Sequence, residues 1–166
     1  IMDINLRDKK FIPYYKKLVE LDLPLLTHVG HERAFSKAND AFGDPLYLEL
    51  PLSLGVKVIA AHIATTGETD GVDNFKRIAP LFSKYPNLTT DISSLTQVNK
   101  LGFLRDANLQ SEITNKMLYG SDYPLHVSQL LTSPWYHLFD IGIAKAWSIS
   151  KIDNPWDRDV ALKYEL

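Results

Sequence analysis

The chain has 166 residues, a formal net charge of −2 at pH 7, 45% hydrophobic residues and 23% charged residues. This is an ordinary globular composition, and we expect a single domain over residues 1–166. The charge gives no reason to expect nucleic acid or an anionic membrane as a partner. The longest apolar stretch, residues 46–64, contains Glu49 and Lys57, so it is not a membrane span.

The sequence contains no cysteine, which excludes disulfides and thiolate metal ligands. This absence fits a reducing compartment, and we therefore expect a cytoplasmic protein. The chain opens with Ile1 rather than Met. From that start we expect a piece of a longer polypeptide or a trimmed one.

Helical patterns alternate with short, buried strands along the chain. The spacing of apolar residues predicts helices over 11–22, 46–54, 74–85, 95–109, 134–139, 143–148 and 156–166. Short apolar runs predict strands over 23–27, 56–61, 87–91 and 117–119. The segment 65–73, rich in Gly, Thr, Asp and Glu, is predicted to be a loop.

A titratable side chain stands at the end of each predicted strand, at His28, His62, Asp91 and Asp122. The period is roughly 30 residues, the length of one βα unit, and helical crossovers of this length favour parallel strands. Because parallel strands end at one edge, we expect these side chains to lie together. This is the layout of a TIM-barrel active site, although a doubly wound open sheet would also bind ligands at its strand ends.

Two imidazoles and a carboxylate at one edge suit a divalent metal ion. We predict that His28, His62 and Asp122 are metal ligands, with zinc as the expected ion and manganese as the alternative. The metal would lower the pKa of a bound water toward ~7 and polarise a carbonyl. Asp122 could then accept the proton of that water.

Three further polar residues are predicted to bind a small-molecule substrate. His31 lies in the loop after His28, and His126 follows the last predicted strand. Asp91 is the third, but it could instead bond neighbouring hydroxyls or backbone groups within Thr-Thr-Asp-Ile-Ser-Ser. Dinucleotide-binding, P-loop and nucleophile-elbow motifs are all missing from the sequence, so other chemistries find little support.

Four segments together resemble the second half of the amidohydrolase-2 family, which comprises TIM-barrel metal-dependent hydrolases and related decarboxylases. These segments are Leu23–Gly30, Val58–Ile63, Asn87–Ser93 and Leu118–Pro124. The resemblance implies an α/β fold in which the parallel strands are the fifth to eighth of a TIM barrel, its C-terminal half.

The same resemblance implies roles for three residues. His28 would be the metal ligand of the fifth strand, and His62 the sixth-strand histidine that binds metal or orients substrate. Asp122 would contact the metal and act as the catalytic base. The His-x-His pair of the family's first strand has no counterpart, because the first four strands are not in this sequence. We therefore expect an incomplete metal site and an inactive isolated chain.

Three functions remain open at this point. The first is hydrolysis of an amide, ester or lactone bond, and the second is decarboxylation of an aromatic or unsaturated acid. The third is a half-barrel that assembles without catalysis.

Four strands close only half a barrel, and a barrel interior is filled with side chains. We therefore expect one sheet face to be covered by the missing N-terminal half-barrel or by a second copy of the chain. The inward side chains are predicted to be Leu25, Thr27, Val58, Ala60, Leu88, Thr90 and Leu118.

Overall fold

The computed structural model describes residues 4–31, 39–124 and 128–166. The chain divides into two compact units. The first comprises Ile1–Asp91 and Asn115–Leu118, and the second comprises Ile92–Thr114 and Tyr119–Leu166. The single domain expected over residues 1–166 stays a prediction.

The first unit alternates helices with strands. Its elements are α1 (Ile12–Glu20), β1 (Leu25–His28), α2 (Glu49–Ser53), β2 (Val58–Ala61), β3 (Glu68–Thr69), β4 (Val72–Asp73), α3 (Asn74–Lys84), β5 (Leu88–Asp91) and β6 (Met117–Leu118). Short 3-10 helices occupy Lys9–Phe11, Asp40–Gly43 and Pro45–Leu48, and a left-handed turn occupies His62–Ala64.

A four-stranded sheet in the order β1-β2-β5-β6 forms the centre of this unit, and every neighbouring pair in it is parallel. The carboxyl ends of the strands therefore lie at one edge. The α/β class with parallel strands is confirmed, and each strand lies at or near its predicted range. Lys116, just before β6, donates hydrogen bonds to the carbonyls of Phe82 and Tyr85 at the C-terminal end of α3, at 2.7 and 3.0 Å.

The two faces of the sheet differ in burial. Val58, Ala60, Leu88 and Thr90 share one face and have no exposed surface. The opposite face, which we call the open face, consists of Leu26, Ile59, Thr89 and Leu118.

Within the open face, Leu26 is 64% exposed and Leu118 is 44% exposed. The predicted inward set was therefore wrong except for Leu118, since the other members lie on the buried face, where α3 contacts β5. The reason is that buried parallel strands carry apolar residues on both faces, so alternation in the sequence does not distinguish them.

Helix α3 follows directly from a hairpin that the sequence analysis predicted as loop. Strands β3 and β4 pair antiparallel around Asp70 and Gly71, whose φ values of 53° and 72° are those of a type I′ turn. Asp73 then caps α3 by accepting the backbone N–H groups of Phe75 and Lys76. The predicted inward residues of this helix are all buried: Phe75, Ile78, Leu81 and Phe82.

The second unit is helical in its described residues. It contains α4 (Phe103–Asn108), α5 (Ser111–Thr114), α6 (Leu138–Ile141), α7 (Ile143–Ser150) and α8 (Pro155–Glu165), with 3-10 helices at Val98–Lys100 and Pro134–His137. Part of its core consists of Ile141, Ala146, Ile149 and Leu162. The helix predicted over 95–109 exists only from Phe103, because Gly102 has a φ of 89° and interrupts helical geometry.

A search of the described ranges for a helix with the length and apolar character needed to span a bilayer found none.

Candidate active site

Two histidines meet at the carboxyl edge of the sheet. His28 is the last residue of β1 and lies in register with Ala61, the last residue of β2, while His62 follows directly. The two imidazole rings have centroids 5.5 Å apart and are nearly perpendicular, at 77°. The structure thus brings together the two histidines that the strand pattern predicted would converge.

The chain turns sharply at His62 through three successive left-handed residues, which we call the strand-end turn. His62, Ile63 and Ala64 have φ values of 59°, 51° and 53°. None is glycine, and a left-handed backbone costs an L-residue about 1–2 kcal/mol. Ile63 and Ala64 have no exposed surface. Such a conformation persists only where the surroundings fix it.

Side chains of β5 fix the strand-end turn. Thr90 accepts the backbone N–H of Ile63 at 3.2 Å through Oγ1 and donates its hydroxyl to the Ala60 carbonyl at 2.6 Å. Asp91 accepts the backbone N–H of His62 at 3.1 Å through Oδ1. Both hydrogen bonds to N–H groups satisfy donors at the exit of β2 that would otherwise be poorly solvated.

Asp91 also faces the imidazole of His62. The distance from its Oδ1 to His62 Nδ1 is 3.7 Å, and both side chains are largely buried. A carboxylate beside a histidine restrains the ring and favours one tautomer of it. The partner in both contacts is His62, 29 residues away in the sequence, rather than a neighbour within Thr-Thr-Asp-Ile-Ser-Ser. The substrate-binding role of Asp91 stays a prediction.

His31 lies in the loop after β1 and is attached to the loop after β2. Its backbone N–H donates to the Thr66 carbonyl at 2.9 Å, and the Thr66 hydroxyl donates to the His31 carbonyl at 2.7 Å. Gly67 has a φ of 73°, and a Cβ atom there would overlap the His31 ring. The imidazole of His31 is therefore packed against the backbone at this end of the sheet.

Asp122 belongs to the second unit and follows β6 after a short connection. It is itself left-handed, with a φ of 55°. We call residues 119–123 the Asp122 loop. The convergence of Asp122 with the two histidines stays a prediction, and His126 lies outside the described residues.

The imidazole pair suits two ligand positions of one metal ion. An ion about 2.1 Å from one nitrogen of each ring would leave the ring centroids roughly 5 Å apart, and the observed separation is 5.5 Å. In residues 4–31, 39–124 and 128–166, however, no group of three or more His, Cys, Asp or Glu side chains is arranged to hold a metal. The described residues therefore bring two candidate ligands together without forming a complete metal site.

Comparison with known protein families identifies the family to which this chain belongs. A family model described as "Amidohydrolase" matches residues 2–154. The chain belongs to the amidohydrolase family. The match includes His28, His62, Asp91 and Asp122, and it ends just before α8 begins at Pro155. The resemblance stated from the sequence motifs is confirmed.

A solved structure supports the fold of this amidohydrolase chain. An uncharacterized TIM-barrel protein from Bordetella bronchiseptica has a TM-score of 0.56 and 16% sequence identity to it. The similarity covers 97% of this chain and 53% of that chain, so this chain spans about half the length of the barrel protein that it matches. The prediction of a partial TIM barrel is confirmed. A search of curated proteins found no match.

The sequence analysis did not predict a role for Thr90 in this amidohydrolase site. The signal that was present is Thr90-Asp91 at the end of a strand, where short polar side chains can bond a neighbouring backbone. The backbone group that Thr90 bonds could not be identified from the sequence. The turn at Ile63 and Ala64 is left-handed, but it contains no glycine, the residue that usually indicates such a turn.

Proposed function

We propose that this chain carries part of the active site of a metal-dependent hydrolase that cleaves an amide, ester or lactone bond. The observation that carries the proposal is the pairing of His28 with His62 at the carboxyl edge of a parallel sheet. Family membership supports enzyme chemistry, and this family generally uses divalent metals. A bound zinc or manganese ion would polarise the substrate and lower the pKa of its water toward ~7.

Each residue has a proposed task. His28 and His62 provide imidazole ligands, and Asp122 contributes a carboxylate ligand and accepts a proton as general base. Its place shortly after β6 supports this role, since catalytic side chains of TIM barrels follow the strand ends. Asp91 restrains His62, and the packed ring of His31 is proposed to contact the substrate together with His126.

We further propose that an N-terminal half-barrel, rather than a second copy of this chain, completes the site and covers the open face. The matched protein is described as a TIM barrel, and this chain covers only 53% of it. Leu26 and Leu118 on the open face are exposed, and β1 and β6 are the edge strands of the sheet formed by the described residues. Four further parallel strands would cover both features.

Cobalt binding tests the metal proposal. We expect the isolated chain to bind Co²⁺ weakly, as measured by visible absorption. We expect His28→Ala and His62→Ala each to weaken that binding about 10-fold or more. His31→Gln is the matched control and should leave it unchanged. Tight, near-stoichiometric metal in the isolated chain would contradict the need for the other half.

The reaction class is tested on the protein that includes the N-terminal half. We expect hydrolysis of amide, ester or lactone substrates, measured as formation of the carboxylate product, and we expect Asp122→Asn to abolish it. Release of CO₂ from aromatic or unsaturated carboxylic acids, without hydrolysis, would favour the decarboxylase instead. Absence of both activities in the completed protein would favour the non-catalytic half-barrel.

Light scattering tests the covering of the open face. We expect the isolated chain to self-associate without a defined stoichiometry, and Leu26→Glu to reduce this association. Leu109→Glu, a substitution at another exposed leucine, is the control and should leave the self-association unchanged. A closed dimer that depends on Leu26 would identify a second copy as the partner, and a stable monomer would contradict both arrangements.

A further inference from the structure

Helix α8 lies beyond the family match yet contacts the loop that carries Asp122. The match ends at residue 154, where Asn154 caps the helix by accepting the backbone N–H of Trp156. The helix buries three charged residues, Arg158, Asp159 and Lys163, and the last two contact each other. Burial of Asp159 and Lys163 requires an explanation, because exposed positions for both charged side chains would cost less.

These two residues form an ion pair within a buried polar network. Lys163 Nζ is 2.7 Å from Asp159 Oδ2, and the side chains are 3% and 2% exposed. Asp159 also accepts hydrogen bonds from the hydroxyls of Thr96 at 3.0 Å and Tyr119 at 3.1 Å. The loss of solvation at both charges is offset only by such additional hydrogen bonds.

The network ends on the backbone next to Asp122. Lys163 Nζ donates a second hydrogen bond to the Gly120 carbonyl at 2.8 Å and lies 4.9 Å from the centre of the Tyr119 ring. Burial, followed by the charge of Asp159, raises the pKa of Tyr119 to about 12. The neutral phenol therefore persists as a hydrogen-bond donor to Asp159 well above neutral pH.

Helix α8 also contacts the chain on the other side of Asp122. The ring of Tyr123 stacks on Trp156, with centroids 5.8 Å apart and planes 9° from parallel. Asp122 lies between Gly120 and Tyr123 and is left-handed, a conformation that a non-glycine residue keeps only under constraint. Both anchors of this loop are side chains of α8.

We propose that Asp159 and Lys163 of α8 are positioning residues, which hold the Asp122 loop so that Asp122 keeps its left-handed conformation. The proposal rests on the role proposed for Asp122. It explains why the ion pair is buried: a buried pair contributes little net stability compared with apolar residues, but its directional hydrogen bonds fix the position of the Gly120 carbonyl. The helix is thereby part of the site although it lies outside the family match.

The test is NMR spectroscopy of the 166-residue chain. The intraresidue Hα–HN contact of Asp122 reports its left-handed conformation, and hydrogen exchange of residues 120–123 reports how firmly the loop is held. In Lys163→Met we expect loss of the left-handed signature and exchange at least ~10-fold faster. Lys145→Met is the matched control, since Lys145 pairs with Glu165 at the surface, and it should change neither.

A second variant keeps the test decisive if Lys163→Met fails to fold. Tyr119→Phe removes only the hydroxyl that bonds Asp159, and we expect a smaller change in the same two signals. If Asp122 keeps its left-handed signature and its slow exchange in the folded variants, the proposal is overturned, whatever the change in melting temperature. Full activity of Asp122→Asn in the completed enzyme would instead overturn the proposed function and leave the positioning result intact.

Discussion

The strand-end turn and the Asp122 loop both hold left-handed residues, but by different means. In the strand-end turn, Thr90 and Asp91 of the neighbouring strand β5 accept the N–H groups of Ile63 and His62. In the Asp122 loop, Lys163 of α8 donates to the carbonyl of Gly120. One segment is held by short side chains next to it in the sheet, the other by a helix distant in sequence.

The two arrangements differ in what they lose when broken. Thr90 is neutral, and its removal leaves a single buried N–H group without an acceptor. Removing either partner of the Asp159–Lys163 pair leaves a buried charge, which is much more costly. The Asp122 loop therefore depends on a buried ion pair, whereas the contact of Thr90 with the strand-end turn is between neutral groups.

The largest effect is expected at Asp159. Asp159→Ala leaves the ammonium of Lys163 buried without its carboxylate and removes the acceptor for Thr96 and Tyr119. We expect a loss of about 3–5 kcal/mol in the free energy of unfolding, measured by urea denaturation. Asp157→Ala, an exposed position on the same helix, should change it by about 0.5 kcal/mol or less. If Asp159→Ala and Asp157→Ala lose equal stability, the buried ion pair is not the more costly contact to break, and the contrast with the strand-end turn fails.

An intermediate effect is expected at Thr90. Thr90→Val keeps the shape of the side chain but removes the acceptor for the Ile63 N–H and the donor to the Ala60 carbonyl. The expected loss is about 2 kcal/mol, the cost of a buried donor left unsatisfied. Thr89→Val makes the same change one residue earlier, where the hydroxyl only donates to the Val58 carbonyl. If Thr89→Val costs as much as Thr90→Val, the hydrogen bond from the Ile63 N–H to Thr90 adds no stability to the strand-end turn.

The sheet was predictable from the sequence because its signals are local. Apolar runs ending in His28, His62 and Asp91 indicated parallel strands and a common edge, and the structure places two imidazoles together there. The assignment of faces failed because apolar residues occur at both alternations of each strand. Leu26 and Val58 look alike in sequence, yet one is 64% exposed and the other has no exposed surface.

The contacts of α8 could not be predicted, because nothing in the sequence connects Lys163 to Gly120. An aspartate at position i and a lysine at position i+4 of a helix normally indicate a solvated surface pair. Only the tertiary structure shows that Asp159 and Lys163 are buried and that they reach the Asp122 loop. The contact could not be predicted because Lys163 and Gly120 are far apart in the sequence, and not because the composition of the helix is unusual.

Alkaline titration distinguishes the network of the Asp122 loop from simple burial. The pKa values of Tyr119 and Tyr15 are both raised to about 12, chiefly by burial, but only Tyr119 hydrogen-bonds a carboxylate. In Asp159→Asn we expect the pKa of Tyr119 to fall while that of Tyr15 stays, as measured by absorbance at ~295 nm with Phe variants for assignment.

The sign of the stability effect follows from the raised pKa of Tyr15, which is almost fully buried. The unfolded phenol ionises near pH 10 and the folded one near pH 12. Its contribution to stability is therefore complete below pH ~10 and is lost as the pH rises toward ~12. In Tyr15→Phe the decline of stability over that range should be shallower. An unchanged slope would mean that Tyr15 ionises normally in the folded chain.

The smallest effect is expected at Ala64, and it tests whether the strand-end turn is strained. Ala64 is left-handed, with a φ of 53°, so Ala64→Gly removes a conformational cost of about 1–2 kcal/mol. Against this gain, glycine adds backbone entropy to the unfolded chain at about 0.5–1 kcal/mol, and a buried methyl group worth about 0.8 kcal/mol is lost. The net change in the free energy of unfolding should therefore lie within about 0.8 kcal/mol of zero. Ala61→Gly, in the extended strand β2 just before the turn, carries the same losses without the gain, and should cost about 1–2 kcal/mol. Urea denaturation of both variants measures the difference. Equal costs would show that the left-handed conformation of Ala64 is not strained, so that the hydrogen bonds of Thr90 and Asp91 are not needed to maintain it.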